Sequence, residues 1–297
     1  DSELKKNLNT ITKKINSLDD LKINLNEYKK IEREITIIHS QIALKILRKF
    51  NTEVNIIGFH GQTILHNPKK NYSIQMGNGK LLSQLLNIDV VYQFRKNDIS
   101  NGGEGAPLTP IYHHFLKKKL NINKPVLFLN LGGIANYTVS NNDNFFAKDA
   151  GPGNCLMDVY IKKTTKKDFD ESGNIAKSGK IDTILINNII ESEIYNSVKK
   201  HSLDVRDFDI NFVRGMQVED AMATLNFLSA KIISENIKKV INENFIIILC
   251  GGGRKNKTLV SNLKQLLKNK IYNIDDFKID GDFVESQAFA YLAVRSF

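Results

Sequence analysis

The chain has 297 residues, 41% of them hydrophobic, and a formal net charge of +10 at pH 7, which is enough material for two domains of ordinary size with real cores. No apolar run approaches the roughly 20 residues of a membrane span, and no charged, apolar and cleavage segments in succession open the chain, so a soluble cytoplasmic protein without a membrane partner is expected. The basic residues Lys117-Lys118-Lys119, Lys162-Lys163 and Lys199-Lys200 lie apart, with acids interleaved and no aromatic–basic alternation, which argues for a solvated basic surface and against a nucleic-acid groove.

Residues 1–50 predict helices. Leu4, Leu8, Ile11, Ile15 and Leu18 fall at helical spacing, as do Ile31, Ile35, Ile38, Ile42 and Ile46, with a break at Ser17 to Asp20. A short β run, Val54 to Phe59, ends in His60-Gly61-Gln62-Thr63, the kind of polar strand end at which α/β proteins hold ligands; a hydrogen-bonded structural histidine is the alternative for His60. A strand (Tyr72 to Met76), a Gly77-Asn78-Gly79 turn, a helix (Leu81 to Leu86) and a strand (Val90 to Phe94) follow. Arg95 to Asp98 then lead into a glycine-rich loop, Asn101 to Pro107. Arg95 is a natural fork for carboxylate or phosphate, although a plain surface loop reads equally well. Pro107 and Pro110 introduce a helix carrying His113 and His114, which point about 100° apart and so do not share a metal.

The domain boundary is expected near Asn121 to Pro125, dividing the chain into 1–123 and 124–297. The stretch Val126 to Asp158 that follows is the most informative. Val126 to Leu129 is strand-like, meets Gly132-Gly133, and resumes as Ile134 to Val139; a polar turn at 141–143 and Phe145-Phe146 complete a hairpin. Asp149 and Gly151-Pro152-Gly153-Asn154 precede a helical run, Leu156 to Ile161. Glycines at the bend admit a ligand to the backbone, and a carboxylate facing a helix N-terminus suits a general base beside an anion site. Hairpin turn and helix cap are the plainer readings of the same residues.

Further on, Gly173 to Lys180 fails as a P-loop because its glycine spacing is wrong and Ile181 follows the lysine. Helices are predicted over 183–199 and Glu219 to Val240, with a loop at 201–209 between them. Phe245 to Leu249 is a buried-type strand leading into Gly251-Gly252-Gly253 and a helix, Leu259 to Leu267. Strand, glycines and helix form a nucleotide-compatible sequence without the dinucleotide fingerprint. Cys155 and Cys250 form no CxxC pair and read as small buried side chains, with no metal site indicated. Gly281 to Glu285 opens the last helix, Ser286 to Arg295, where the dipole favours Glu285.

Six blocks in order, HGQT (60–63), FRKNDISNGGEGAPLTP (94–110), LNLGGIANYT (129–138), DAGPGNCLMD (149–158), CGGGRKN (250–256) and GDFVESQAFA (281–290), resemble the anhydro-N-acetylmuramic acid kinases. The resemblance implies an α/β fold of two ribonuclease-H-like domains, as in actin-like ATPases, around a nucleotide and sugar cleft. It also implies ATP and Mg²⁺ as co-substrate and cofactor, an amino-sugar substrate of peptidoglycan recycling, and a cytoplasmic homodimer. On that resemblance Asp149 and Glu285 are catalytic. His60, Gln62, Thr63, Arg95 and Asp98 bind substrate, while Gly132, Gly133, Gly151, Gly153, Asn154, Gly251, Gly252 and Gly253 bind the cofactor. The family opens with a strand and a first phosphate loop that have no counterpart here, so the chain is expected to be an N-terminally truncated kinase, the alternative being a non-catalytic sugar-binding or dimerisation remnant. Gln93 and Glu104 depart from the family's usual Asp and Gln.

Overall fold

The computed structural model describes residues 2–141, 144–191 and 210–296. Residues 142–143 of the turn expected at 141–143, the far half of the helix predicted over 183–199, with Lys199-Lys200, and the loop at 201–209 lie outside the described residues. The chain forms two compact units, Asp1–Tyr112 with Glu285–Phe297, and His113–Val284. Helices and strands mix throughout, as the α/β expectation requires.

In the first unit, α1 (Ser2–Lys14), α2 (Leu18–Ile23) and α3 (Leu25–Phe50) succeed one another. The break falls where the sequence shows it: the Ser17 hydroxyl accepts the Asp20 amide (3.1 Å) and the Asp20 carboxylate accepts the Asn16 amide (2.9 Å). Tyr28, Ile31 and Ile35 form the buried stripe of α3 and share a core with Ile11, Ile15, Leu65 and Met76. β1 (Ile56–Phe59) pairs in parallel with β4 (Asp89–Tyr92), and β2 (Gln62–Asn67) pairs antiparallel with β3 (Tyr72–Met76). β2 escapes sequence reading because a register shift between Thr63 and Leu65 buries two adjacent residues, Ile64 and Leu65, and so breaks the period of two. α4 (Gly79–Leu86) is capped by the Asn78 side chain on the Leu81 amide at 2.9 Å. α5 (Phe94–Ser100) corrects the reading of Arg95 to Asp98 as part of a loop. Its only buried residue is Ile99, so no apolar stripe announces it.

The second unit begins within α6 (Pro110–Lys119). β5 (Val126–Leu131), β6 (Ile134–Asn141), β7 (Asn144–Pro152), β8 (Ile246–Cys250) and β9 (Lys270–Asn273) build a sheet in the order β7-β6-β5-β8-β9. β5 and β8 are its parallel centre, and their continuous apolar runs follow from burial on both faces. α7 (Cys155–Thr164), α8 (Asn174–Ser178), α9 (Thr183–Glu191), α10 (Val218–Lys238) and α11 (Lys257–Leu266) follow in chain order around those strands. One core joins Leu127, Leu129 and Leu131 to Ile233, Ile247 and Leu263. A second, helical core joins Met157 and Ile161 to Met222 and Leu225. Both cysteines are buried, and burial pushes their thiols up to about 11 at Cys155 and about 12 at Cys250, which leaves them unreactive. The last helix, α12 (Val284–Arg295), returns the chain to the first unit.

Candidate active site

Two groups of candidate side chains emerge, one in each unit. In the first unit, parallel pairing sets Phe59 beside Tyr92, so the chain leaves β1 and β4 at the same end. His60 and Arg95, 35 residues apart, meet there: the Arg95 Nε donates to His60 Nε2 at 2.8 Å. His60 Nδ1–H donates to the Gly61 carbonyl at 2.7 Å, which fixes the neutral tautomer. Burial, then the Arg95 charge, holds the His60 imidazole below its ordinary pKa, while the Gly61 bond and Glu285 oppose the shift. Arg95 is itself lowered by burial and supported by Glu285. Its Nη1 donates to the Gly105 carbonyl at 3.0 Å, and among the described residues Nη2 makes no hydrogen bond, which leaves it available to a ligand anion.

Glu285 stands exposed in the first turn of α12, a helix that lies hard against β1. A methyl on Gly58 would come within 2.4 Å of the Phe289 carbonyl, so a side chain there would push the helix away. Phe289 in turn lies against the His60 ring, centroids 4.5 Å apart. The Asp98 carboxylate accepts the Gly105 amide at 2.7 Å and so shapes the 101–105 loop from which Gly105 reaches Arg95. Gln62 is exposed, and Thr63 makes a long contact with Gln75 at 3.5 Å.

In the second unit the sheet register gathers three glycine turns. Asn130 lies beside Cys250 on parallel strands, so Gly132-Gly133 and Gly251 to Gly253 leave the sheet at one end. Ile134 pairs with Pro152, which brings Gly151 to Asn154 to that same end. Ligands of open α/β sheets bind beyond such carboxyl ends. The turns touch: a methyl on Gly153 would lie 2.2 Å from the Gly132 carbonyl, and one on Gly253 would lie 2.4 Å from the Asn154 amide nitrogen. The Gly153 and Asn154 amides donate to the Gly133 and Gly132 carbonyls at 2.8 and 2.9 Å. They therefore brace the bend and are not open to a phosphate. Gly151 is packed against Ile232. The open faces are Gly252, where a methyl meets nothing within 4 Å, and Gly133, where it meets only the Cys155 Cβ at 4.0 Å. An exposed glycine backbone with free space above it fits nucleotide phosphates. Among the described residues no cluster of three His, Cys, Asp or Glu is placed to hold a metal ion; Mg²⁺ commonly keeps several waters and binds through substrate phosphates.

Asp149 stands beside these turns on a β-bulge. Asn136 pairs with Asp149 and Ala135 with Gly151, so Ala150 is the extra residue. Ala150 is buried and its carbonyl accepts from Asn236 at 3.0 Å, while Asp149 is turned to the exposed side. Bulges re-aim side chains in this way next to active sites. The Asp149 charge also reaches Tyr137, whose hydroxyl is raised by burial first and by Asp149 second.

Arg254, which the sequence does not single out, is a further residue of this end of the sheet. Its side chain is 2% exposed and forks between Asp275 (Nε to Oδ2, 2.8 Å) and Asp282 (Nη1 to Oδ1, 2.8 Å), with Nη1 also on the Gly251 carbonyl at 3.1 Å. It ties the third glycine turn to the 275–282 segment that runs into Glu285. The available signal was an arginine directly after three glycines, with acids some 20 to 30 residues on.

The family model described as anhydro-N-acetylmuramic acid kinase matches residues 3–297. A relative of that name from Pelagibacter ubique is 45% identical over a 306-residue alignment covering 100% of this chain and 82% of the relative. One from Zymomonas mobilis is 39% identical and covers 89% of this chain and 73% of its own length. Among solved structures, the activator of 2-hydroxyisocaproyl-CoA dehydratase from Clostridium difficile overlaps 76% of this chain and 85% of its own at 15% identity and TM-score 0.44, a likeness too loose to carry an argument. With a match along nearly its whole length and close relatives of one name, the chain belongs to the anhydro-N-acetylmuramic acid kinase family.

Proposed function

We propose that the chain is the ATP-dependent kinase its relatives are named for, acting on 1,6-anhydro-N-acetylmuramic acid in peptidoglycan recycling. The reaction opens the 1,6-anhydro bond and gives N-acetylmuramic acid 6-phosphate. The observation that carries the reading is an exposed carboxylate, Asp149, on a bulge beside three glycine turns at one end of the sheet. Asp149 takes the proton of the water that attacks the anomeric carbon; as that C–O bond breaks, O6 becomes an acceptor. ATP, with Mg²⁺ on its phosphates, supplies the phosphoryl group. Backbone at Gly132-Gly133 and Gly251 to Gly253 cradles phosphate and nucleoside, while Gly151, Gly153 and Asn154 hold those turns in shape.

On the sugar side, Arg95 offers Nη2 to the lactyl carboxylate and Glu285 orients hydroxyls. His60, Gln62, Thr63 and Asp98 line or shape that pocket. Each unit is read as one ribonuclease-H-like domain of the actin-like ATPase architecture, in a cytoplasmic homodimer. Asp149→Asn tests the reading: kcat falls about 100- to 10,000-fold while ATP still binds in a titration calorimeter. Turnover at the wild-type rate would remove Asp149 from the role of base.

A further inference from the structure

We propose that Asn154, Asn226, Asn256 and Asn262 form one directional amide chain that positions the three glycine turns for a nucleoside triphosphate; this rests on the kinase reading above. Asn262 Nδ2 donates to Asn226 Oδ1 (3.0 Å), Asn226 Nδ2 to Asn256 Oδ1 (3.4 Å), Asn256 Nδ2 to Asn154 Oδ1 (3.3 Å) and Asn154 Nδ2 to the Gly132 carbonyl (3.3 Å). Asn226 is fully buried, Asn256 and Asn262 are 8% exposed, and Asn154 is half-buried. The chain thus starts in α11, crosses α10, passes the end of the 251–256 turn and the 151–154 turn, and finishes on the 132–133 bend.

Its polarity is set at two points. Asn256 Oδ1 also accepts the Leu259 amide at 3.1 Å as the N-cap of α11, which turns its Nδ2 toward Asn154. At the far end a carbonyl can only accept, so Asn154 must present its Nδ2. Flipping one amide therefore sets donor against donor or acceptor against acceptor at its neighbours. Buried amides in such a chain are costly to leave unpaired, so each link holds the next. The Asn226 Nδ2 contact to Met157 Sδ (3.2 Å) anchors the chain to α7. None of this needs Asn226 or Asn262 to touch the nucleotide; they are positioning residues.

Asn226→Leu removes a central link at similar volume, and Asn262→Leu removes the first donor in case the central variant fails to fold. In the full chain, the KM for ATP rises about tenfold, equivalent to about 1.4 kcal/mol, with the KM for the anhydro-sugar unchanged. Hydrogen exchange at the Gly132, Gly153 and Gly253 amides accelerates together. Equal shifts in both KM values, or turns that exchange as in the wild type, overturn the proposal. If the wild-type chain binds no ATP, the kinase reading fails, and the exchange measurement alone decides the amide chain.

Discussion

Arg95 and His60 illustrate how much depends on one atom's partner. Arg95 commits Nε to His60 and Nη1 to Gly105, so the direction of its remaining nitrogen is set before any ligand arrives. Lysine keeps the charge but cannot form the fork. Arg95→Lys is expected to raise the sugar KM about tenfold with little change in kcat, because uniform binding is lost; steady-state kinetics check it. His113 gives a pH prediction. It is fully buried, bonds Thr138 at 2.8 Å and stacks on Phe128, and burial holds its imidazole down to about 4. The unfolded chain takes up the proton near the ordinary pKa of about 6.5, the folded chain only near 4. The stability from a neutral His113 is therefore whole above about pH 6.5, declines as pH falls toward 4, and is flat below, a total of roughly 3 kcal/mol. In urea unfolding the wild type should lose that much more than His113→Gln between pH 7 and 4.

At the scale of elements, the glycine turns separate into braces and openings. Gly153 admits no methyl because the Gly132 carbonyl is backbone and cannot step aside. Gly153→Ala should lower stability by roughly 2–3 kcal/mol in a urea melt. Gly252 has open space above it, so Gly252→Ala should leave stability within about 0.5 kcal/mol and weaken nucleotide binding by filling the cradle. Calorimetric titration of both variants tests the division. The elements legible beforehand were those with one unbroken signal. β5 and β8 announce themselves as apolar runs, and α10 as a long amphipathic pattern. β9, four residues of alternating burial with exposed Tyr272, carries too little apolar content to be seen, and α5 carries a single buried residue.

For the whole molecule, each unit has its own core and its own group of candidate residues, so ligand effects can be read unit by unit. On the proposed function, Mg²⁺-ATP at about 100 times its Kd should stabilise the second unit by about 2.7 kcal/mol, and the anhydro-sugar the first unit by a similar amount at equal saturation. Hydrogen exchange resolved by unit reads this directly, and nucleotide protection confined to the first unit would contradict the assignment.

By itself, the sequence determined the α/β class, the family, the central strands and the candidate residues, because apolar runs, glycine turns and six ordered motifs are local in the chain. It left open how these residues meet. Strand register decided that His60 faces Arg95 across 35 positions and that three glycine turns share one sheet end. Burial decided that Arg254 and Asn226 are internal partners, although in the sequence each reads as an ordinary polar residue. Such pairings come from long-range packing, in which a side chain's partners are chosen by the fold around it and not by its neighbours along the chain.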